Sequence, residues 1–352
     1  MEQIKHKLGV IGYGGMGSYH HTKILKPEGI AYTAACDVQP ARLEKAKAAG
    51  LEVFADYREF LEKADVDAVL VATPNHIHFE LAMAALQHGK HVICEKPATL
   101  NAGQWENLME EAKKRNLLLT SHQNRRMDKD YRIIRKILED GTLGEVFRLE
   151  SRVEGSRGIA DTWRRQKEFG GGMLYDWGVH LLDQLLYMVP GKVTSVFMRQ
   201  QHLIPSDADD NFRLELEFDT GLSALVEIGT CNFIMHPLWY VLGRKGSAQI
   251  DYWDLQGKIV QLTNESVKWE DEIKPNIAGP SITMAPRAED TVRVLPLPEV
   301  EIDKGFFYRN FAAALEGKEP LCVKPEETLR VMQVIDLAFA SAETNQVQFC
   351  RI

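Results

Sequence analysis

The sequence predicts a two-part α/β protein: an N-terminal doubly wound parallel sheet, then an α+β domain built on an open, mainly antiparallel sheet. Three observations predict it. The first third alternates apolar strand runs with helix-compatible stretches over short connections, which places helices on both faces of a parallel sheet. One apolar run, Leu8-Gly9-Val10-Ile11, feeds directly into the glycine-rich turn Gly12-Tyr13-Gly14-Gly15-Met16-Gly17. Beyond it, Val146 to Val153, Val193 to Gln201, Phe212 to Phe218 and Leu222 to Ile228 alternate or are rich in β-formers, and the short turn Asp219-Thr220-Gly221 implies antiparallel neighbours. A length of 352 residues suits two domains, and we place them at 1–125 and 126–352.

The elements follow in order. The glycine turn has the context a Rossmann dinucleotide-binding turn requires: a strand before it, a helix-compatible Met16 to Leu25 after it, and Asp37 twenty residues past Gly17. Gly12 allows the tight turn, Gly14 lets the backbone approach a pyrophosphate, and Gly17 lets the helix pack on the strand. With Tyr13, Gly15 and Met16 they make the cofactor loop, whose pyrophosphate would sit on the free amides of the helix. Ile30 to Asp37 is the next strand, and a carboxylate at its end accepts hydrogen bonds from a ribose and repels a 2′-phosphate. Asp37 therefore favours NAD, with NADP still open because Arg42 lies five residues on; an ordinary strand-end aspartate is the competing reading. Ala41 to Ala49 reads as a helix with Pro40 at its start and Gly50 as its stop. Asp67 to Thr73 is a buried strand, broken by Thr73-Pro74-Asn75 before a helix from His76 to His88. His91 to Cys94 is a strand closed by Glu95-Lys96-Pro97; a helix, Gly103 to Arg115, and a strand, Leu117 to Ser121, complete the first domain. Residues 254–300 read as irregular structure or short edge strands, and helices return at Gly305 to Leu315 and Pro325 to Ala342. The open sheet invites a homo-oligomer, a homodimer or homotetramer, formed through it.

Ligands of such sheets lie beyond the carboxyl ends of the strands, so residues there are the candidates for chemistry. Lys96 follows a buried run, and its ammonium can hold a substrate hydroxyl and stabilise a developing alkoxide; a surface lysine before a turn proline is the alternative. The stretch Gly170-Gly171-Gly172-Met173-Leu174-Tyr175-Asp176-Trp177-Gly178-Val179-His180 reads as a flexible entry into an apolar helix. On that helix Asp176 and His180 would share one face, with Asp183 three residues further, so that a carboxylate orients the imidazole and raises its proton affinity. His76 and His78 stand at alternate positions, but no further cluster has ligand spacing, and we expect no metal. A net charge of −8 argues against nucleic acid as the main partner. Five scattered cysteines without CxxC spacing, and no apolar run of membrane-spanning length, read as a cytoplasmic protein with reduced thiols.

Taken together, the glycine turn, Thr73-Pro74-Asn75 with His78, Glu95-Lys96-Pro97 and Asp176-xxx-His180 resemble the Gfo/Idh/MocA family of glucose-fructose oxidoreductases and inositol dehydrogenases, over essentially the whole chain in motif order. The resemblance implies NAD or NADP on the first domain and a sugar, cyclitol or related polyol on the second. Lys96, Asp176 and His180 would act together on the substrate hydroxyl. It also matches Asn124-Arg125-Arg126 and Trp163-Arg164 to segments bordering nicotinamide and substrate, and implies that Lys96-Pro97 is often cis. This sequence departs from many relatives in its bulky Trp177, which bears on pocket shape. Alongside net alcohol oxidation, some relatives oxidise only transiently to cleave a glycosidic bond, and some are nucleotide-sensing regulators without catalysis.

Overall fold

A computed structural model describes residues 4–24, 26–27, 29–265 and 287–352. The first unit runs β1 (His6–Ile11), α1 (Gly15–Thr22), β2 (Ile30–Cys36), α2 (Pro40–Ala48), β3 (Glu52–Phe54) and α3 (Tyr57–Lys63). It continues through β4 (Ala68–Val71), α4 (His78–Gln87), β5 (His91–Cys94), α5 (Ala102–Arg115) and β6 (Leu119–Ser121). The six strands lie in the order β3-β2-β1-β4-β5-β6 and every pairing is parallel. Because helices cover both faces, β4 is the unbroken apolar run Ala-Val-Leu-Val, buried throughout. The strand order reverses between β1 and β4, so their carboxyl ends diverge and leave a crevice.

Two glycines of the turn are sterically obligatory. Gly12 has φ +95°, and a Cβ there would lie 2.5 Å from the carbonyl oxygen of Ala72; at Gly17 it would lie 1.9 Å from the carbonyl oxygen of Gly12. By contrast a Cβ on Gly15 would meet nothing within 4 Å, so that side of the turn is open. The expected helix after the turn is shorter than anticipated, and Leu25 lies outside the described residues.

The second unit contains α6 (Lys129–Glu139), β7 (Val146–Glu154), α7 (Val179–Met188), β8 (Val193–Gln201), β9 (Asn211–Phe218), β10 (Ser223–Gly229) and β11 (Trp239–Gly243). After these come β12 (Gly246–Ile250), β13 (Gly257–Leu262), β14 (Val292–Leu295), α8 (Phe306–Leu315), α9 (Pro325–Thr344) and β15 (Gln348–Phe349). The nine strands are ordered β14-β13-β12-β11-β7-β10-β9-β8-β15; all pairs are antiparallel except β7 with β10. One face packs Leu149, Leu214, Val226 and Val241 against Leu182 and Leu185 of α7 and Val331 and Ile335 of α9. The other carries an ion-paired row, Arg148, Glu150, Arg152 and Glu227.

Several elements escape the sequence reading. β3 and α3 are short, although Asp56 caps α3 by accepting from the amides of Arg58 and Glu59. α6 buries Tyr131, Ile133, Ile134 and Ile137, a helical spacing that is present in the sequence. Within 254–300, β14 is an edge strand of the kind expected there, whereas β13 is paired on both sides, with β12 and β14; residues 266–286 lie outside the described residues. The expected division assigns everything after residue 125 to the second unit, whereas Tyr308 and Phe311 of α8 are buried in the core of the first sheet beside Leu8, Val10 and Ile93.

Candidate active site

A cleft of about 1000 Å³ runs along the crevice, lined by Gly12, Gly14, Gly15 and Met16 of the glycine turn, Asp37, Thr73-Pro74-Asn75, Glu95, Lys96, Trp163, Arg164 and Asp176. At its glycine end α1 has Gly14 as N-cap with no side-chain cap and no acidic residue in its first turn, which leaves its leading amides for an anion. Asp37 is buried; its carboxylate accepts from the amides of Tyr13 (2.8 Å) and Gln39 (2.9 Å) and from Arg42 Nη1 (3.3 Å). The Arg42 guanidinium reaches the glycine turn, 3.5 Å from where a Cβ on Gly14 would stand.

At the other end Lys96 Nζ donates to the backbone oxygen of Asp176 (2.7 Å) and to its Oδ1 (3.0 Å), and Arg164 Nε lies 3.6 Å from Oδ2. Burial opposes a charge on Asp176, but Lys96 and Arg164 outweigh it and lower its carboxyl below the ordinary range. The Lys96-Pro97 peptide bond is cis. A second cavity of about 850 Å³ begins at this junction, shares Arg164 and Asp176 with the cleft, and is walled by Arg125, Arg157, Trp177, Tyr252 and Trp253. Trp177 stacks on the Arg125 guanidinium at 4.0 Å and tilts against Trp253 at 5.8 Å, so its bulk forms a wall of this second cavity.

His180 departs from expectation. Asp176 has no hydrogen bond to it, being turned instead to Lys96 and Arg164. Leu174–Gly178 forms a π-helical turn before α7, so the four-residue spacing does not stack the two side chains as an α-helix would. His180 is buried, its Nδ1 has no hydrogen-bond partner among the described residues, and burial followed by the charges of Lys96 and Arg125 pushes its pKa well down rather than up. The ring is neutral at neutral pH. Asp183, three residues beyond His180, is locked to Arg126 by two hydrogen bonds of 2.7 and 2.6 Å.

The glycine run also serves another purpose than lying against a ligand. A Cβ on Gly170 would lie 2.5 Å from Leu100 Cδ2, one on Gly171 2.5 Å from the Arg164 oxygen, and one on Gly172 2.0 Å from Asp209 Oδ1. These glycines bring the Asn75, Arg164 and Asp209 loops together, and Asn75 Nδ2 donates to the Gly170 oxygen at 2.7 Å. Four other candidates stand back from the cleft. Tyr13 is buried, with its hydroxyl on His21 Nδ1; Gly17 packs on Gly12; Asn124 lines a separate cavity with Tyr19 and Phe307. His78 is buried between the Thr73 and Pro97 oxygens, each 2.9 Å away, and ties two strand-end loops together, while the His76 ring lies tilted against Phe169. Glu95 is held by His20 and His122, a contact with no signal in the sequence because the three positions lie far apart.

Fold and site together define a nicotinamide-dinucleotide-binding oxidoreductase. Residues 6–123 match the family described as "Oxidoreductase family, NAD-binding Rossmann fold", and residues 131–249 match the "GFO/IDH/MocA C-terminal domain". The chain belongs to the Gfo/Idh/MocA family of oxidoreductases. It is similar to the scyllo-inositol 2-dehydrogenase (NADP(+)) IolW of Bacillus subtilis, 29% identical, covering 96% of this chain and 94% of that one. It is also 30% identical to the myo-inositol 2-dehydrogenase of Thermotoga maritima, over 63% of this chain and 67% of that one. Among solved structures, an NAD-binding protein from Listeria innocua superposes with a TM-score of 0.94 and 41% identity, covering 98% of this chain and 99% of that one.

The buried imidazoles give a pH prediction. His20, wholly buried, is pushed down to about 4 by burial and by His122, against the opposing Glu95; burial likewise lowers His78 and His180. As pH falls below 6.5 the unfolded chain takes up these protons first, so stability is lost between 6.5 and 4. His20 alone contributes a loss of about 2 kcal/mol by pH 5. Asp209, pushed up to about 6 by burial, works the other way, because the native state protonates it first as pH falls below 6. Burial also lowers His21 and His91, and raises Asp128, Asp183, Glu217 and Asp336. The histidines lose stability from 6.5 downward, whereas the carboxylates start from ordinary values of about 4 and offset most of their share lower down. The urea midpoint should therefore fall between pH 7 and pH 5; an unchanged or rising midpoint would contradict this.

Proposed function

We propose that the protein is an NAD(P)-dependent dehydrogenase acting on a secondary alcohol of a sugar, cyclitol or related polyol, or reducing the matching ketone. The observation that carries the reading is the Lys96–Asp176 pair, set where the dinucleotide cleft opens into the second cavity. The bound cofactor supplies the hydride acceptor. Gly12, Gly14, Gly15 and the uncapped start of α1 would hold its pyrophosphate, and Asp37 its adenosine ribose. Thr73-Pro74-Asn75, Glu95 and Lys96 would border its nicotinamide end, with Trp163 and Arg164 lining the same cleft. NAD is favoured by the Asp37 carboxylate; Arg42, beside the turn, and Arg58, on the same cleft, are the cations that would accommodate a 2′-phosphate.

Lys96 binds the reacting oxygen through its ammonium, where it lowers the cost of developing negative charge. Asp176 fixes that ammonium and the Arg164 guanidinium in place. We assign the hydroxyl proton to His180 on its place in the motif, although it is buried, is held neutral and lines neither cavity. Arg125, Trp177 and Trp253 shape the substrate cavity. The relatives named as inositol 2-dehydrogenases support this substrate class. We further propose a cytoplasmic homodimer or homotetramer associating through the ion-paired face of the nine-stranded sheet; among the described residues no helix is long and apolar enough to cross a membrane.

A panel of cyclitols, sugars and polyols with NAD+ and with NADP+, read by absorbance of the reduced cofactor, tests the reading. Reduction of NAD+ in preference to NADP+ with at least one cyclitol or sugar is the expected result. No reduction with either cofactor, together with no oxidation of NADH or NADPH by the matching ketones, would sink it.

A further inference from the structure

Glu95 lines the dinucleotide cleft yet is only 4% exposed, and its carboxylate is held in an unusual way. Its Oε1 accepts from His20 Nε2 at 2.7 Å and from His122 Nδ1 at 2.8 Å, and its Oε2 accepts from the Lys96 amide at 3.1 Å. His20 is braced in turn by the Tyr308 hydroxyl at 2.6 Å, and Tyr308 by Tyr32 at 2.6 Å, all buried. These three atoms, two ring nitrogens and one oxygen, lie close enough to suggest a cation, but both nitrogens stand at hydrogen-bonding distance from the same oxygen and leave no ion-sized gap.

Four cations of this region are engaged elsewhere. Lys96 and Arg164 point to Asp176, Arg125 to Asp128, and Lys26 to the backbone oxygens of His20, His21 and Ile24. Among the described residues Glu95 makes no ion pair with any lysine or arginine. A buried carboxylate without a cation survives only if hydrogen bonds hold it ionised. Burial would raise Glu95, but the bonds from His122 and His20 outweigh it and keep the carboxyl well below the ordinary range.

We propose that Glu95 is a fixed anion at the nicotinamide end of the cleft that favours the positively charged oxidised cofactor over the neutral reduced one, with His20 and His122 as the positioning residues that hold it. The inference rests on the cleft binding a nicotinamide dinucleotide. Its effect falls on the difference between the two redox forms, because a fixed charge in a low-dielectric wall acts on the form that carries the opposite charge.

Dissociation constants for NAD+ and NADH, measured separately by calorimetry on wild type, Glu95→Gln and Tyr308→Phe, test it. In Glu95→Gln the ratio Kd(NAD+)/Kd(NADH) should rise about tenfold, equivalent to ~30 mV for a two-electron couple. Tyr308→Phe loosens the brace but keeps the charge, so the ratio should stay within about twofold of wild type. Equal weakening of both forms in Glu95→Gln, or an unchanged ratio, would overturn the proposal. Should Glu95→Gln fail to fold, the wild-type protein gives the same answer with an uncharged isostere in which a benzamide ring replaces the nicotinamide. NAD+ should bind about tenfold tighter than the isostere, and equal affinities would overturn the proposal. Wild type binding neither NAD+ nor NADH would instead remove the reading of the cleft itself.

Discussion

Replacing Lys96 by Met should lower kcat about a thousandfold while leaving NAD+ affinity within a few-fold of wild type. The lysine stands at the junction of the two cavities with its Nζ on the backbone oxygen and Oδ1 of Asp176, so it is both charged and fixed in direction. Methionine keeps the length and apolar stem but removes the charge and all three donors, so a substrate oxygen gaining negative charge loses its partner. The cofactor contacts supplied by the glycine turn and Asp37 lie at the far end of the cleft and are untouched. Asp176 retains Arg164 as a partner, and the lysine side chain is 17% exposed, so the fold should tolerate the change. Single-turnover reduction of NAD+ separates the chemical step from product release, and calorimetry checks cofactor binding. Turnover within tenfold of wild type on a substrate found by the panel would show that Lys96 does not hold the reacting oxygen.

Positions set by strand ends were legible in the sequence because an open parallel sheet directs whatever follows a strand into the same crevice. Gly12, Asp37, Thr73 and Lys96 all reach the cleft for that reason, although each lies in a different part of the sequence. Contacts across elements were less legible. α-Helical spacing would pair Asp176 with His180, but the π-helical turn at Leu174–Gly178 changes the spacing locally. The glycine run was visible, but its neighbours Leu100, Arg164 and Asp209 come from three separate loops, so its purpose could not be read from its own composition. The same holds for Glu95: the motif announces it, while the two histidines that keep it ionised lie 75 residues before it and 27 after it. Periodicity reports which face of an element is buried and says nothing about which polar groups meet there.

Arg126→Met should destabilise the protein by about 3–5 kcal/mol, a larger loss than any surface ion pair would give. Arg126 lies just beyond β6 with its side chain 4% exposed, and its guanidinium donates to both oxygens of Asp183 on α7, to Glu327 on α9 at 2.7 Å and to the Cys322 oxygen at 3.1 Å. Tyr187 covers its face at 4.0 Å. One side chain thus ties the end of the first sheet to both helices that cover the second. Methionine fills most of the space but strands Asp183, 1% exposed, without a counter-charge, and that uncompensated carboxylate is the source of the cost. A second variant isolates this cause: Arg126→Met with Asp183→Leu removes both charges and should recover most of the loss, because a buried ion pair often contributes little over a well-packed apolar pair. Since Asp183 sits one turn after His180 on α7, the single variant should also lower kcat by letting that helix shift, and the double variant should restore it in part. Chemical denaturation of the three proteins gives the energies. A single variant costing under about 1 kcal/mol, or a double variant no more stable than the single, would show that the pair does not anchor α7 in this way.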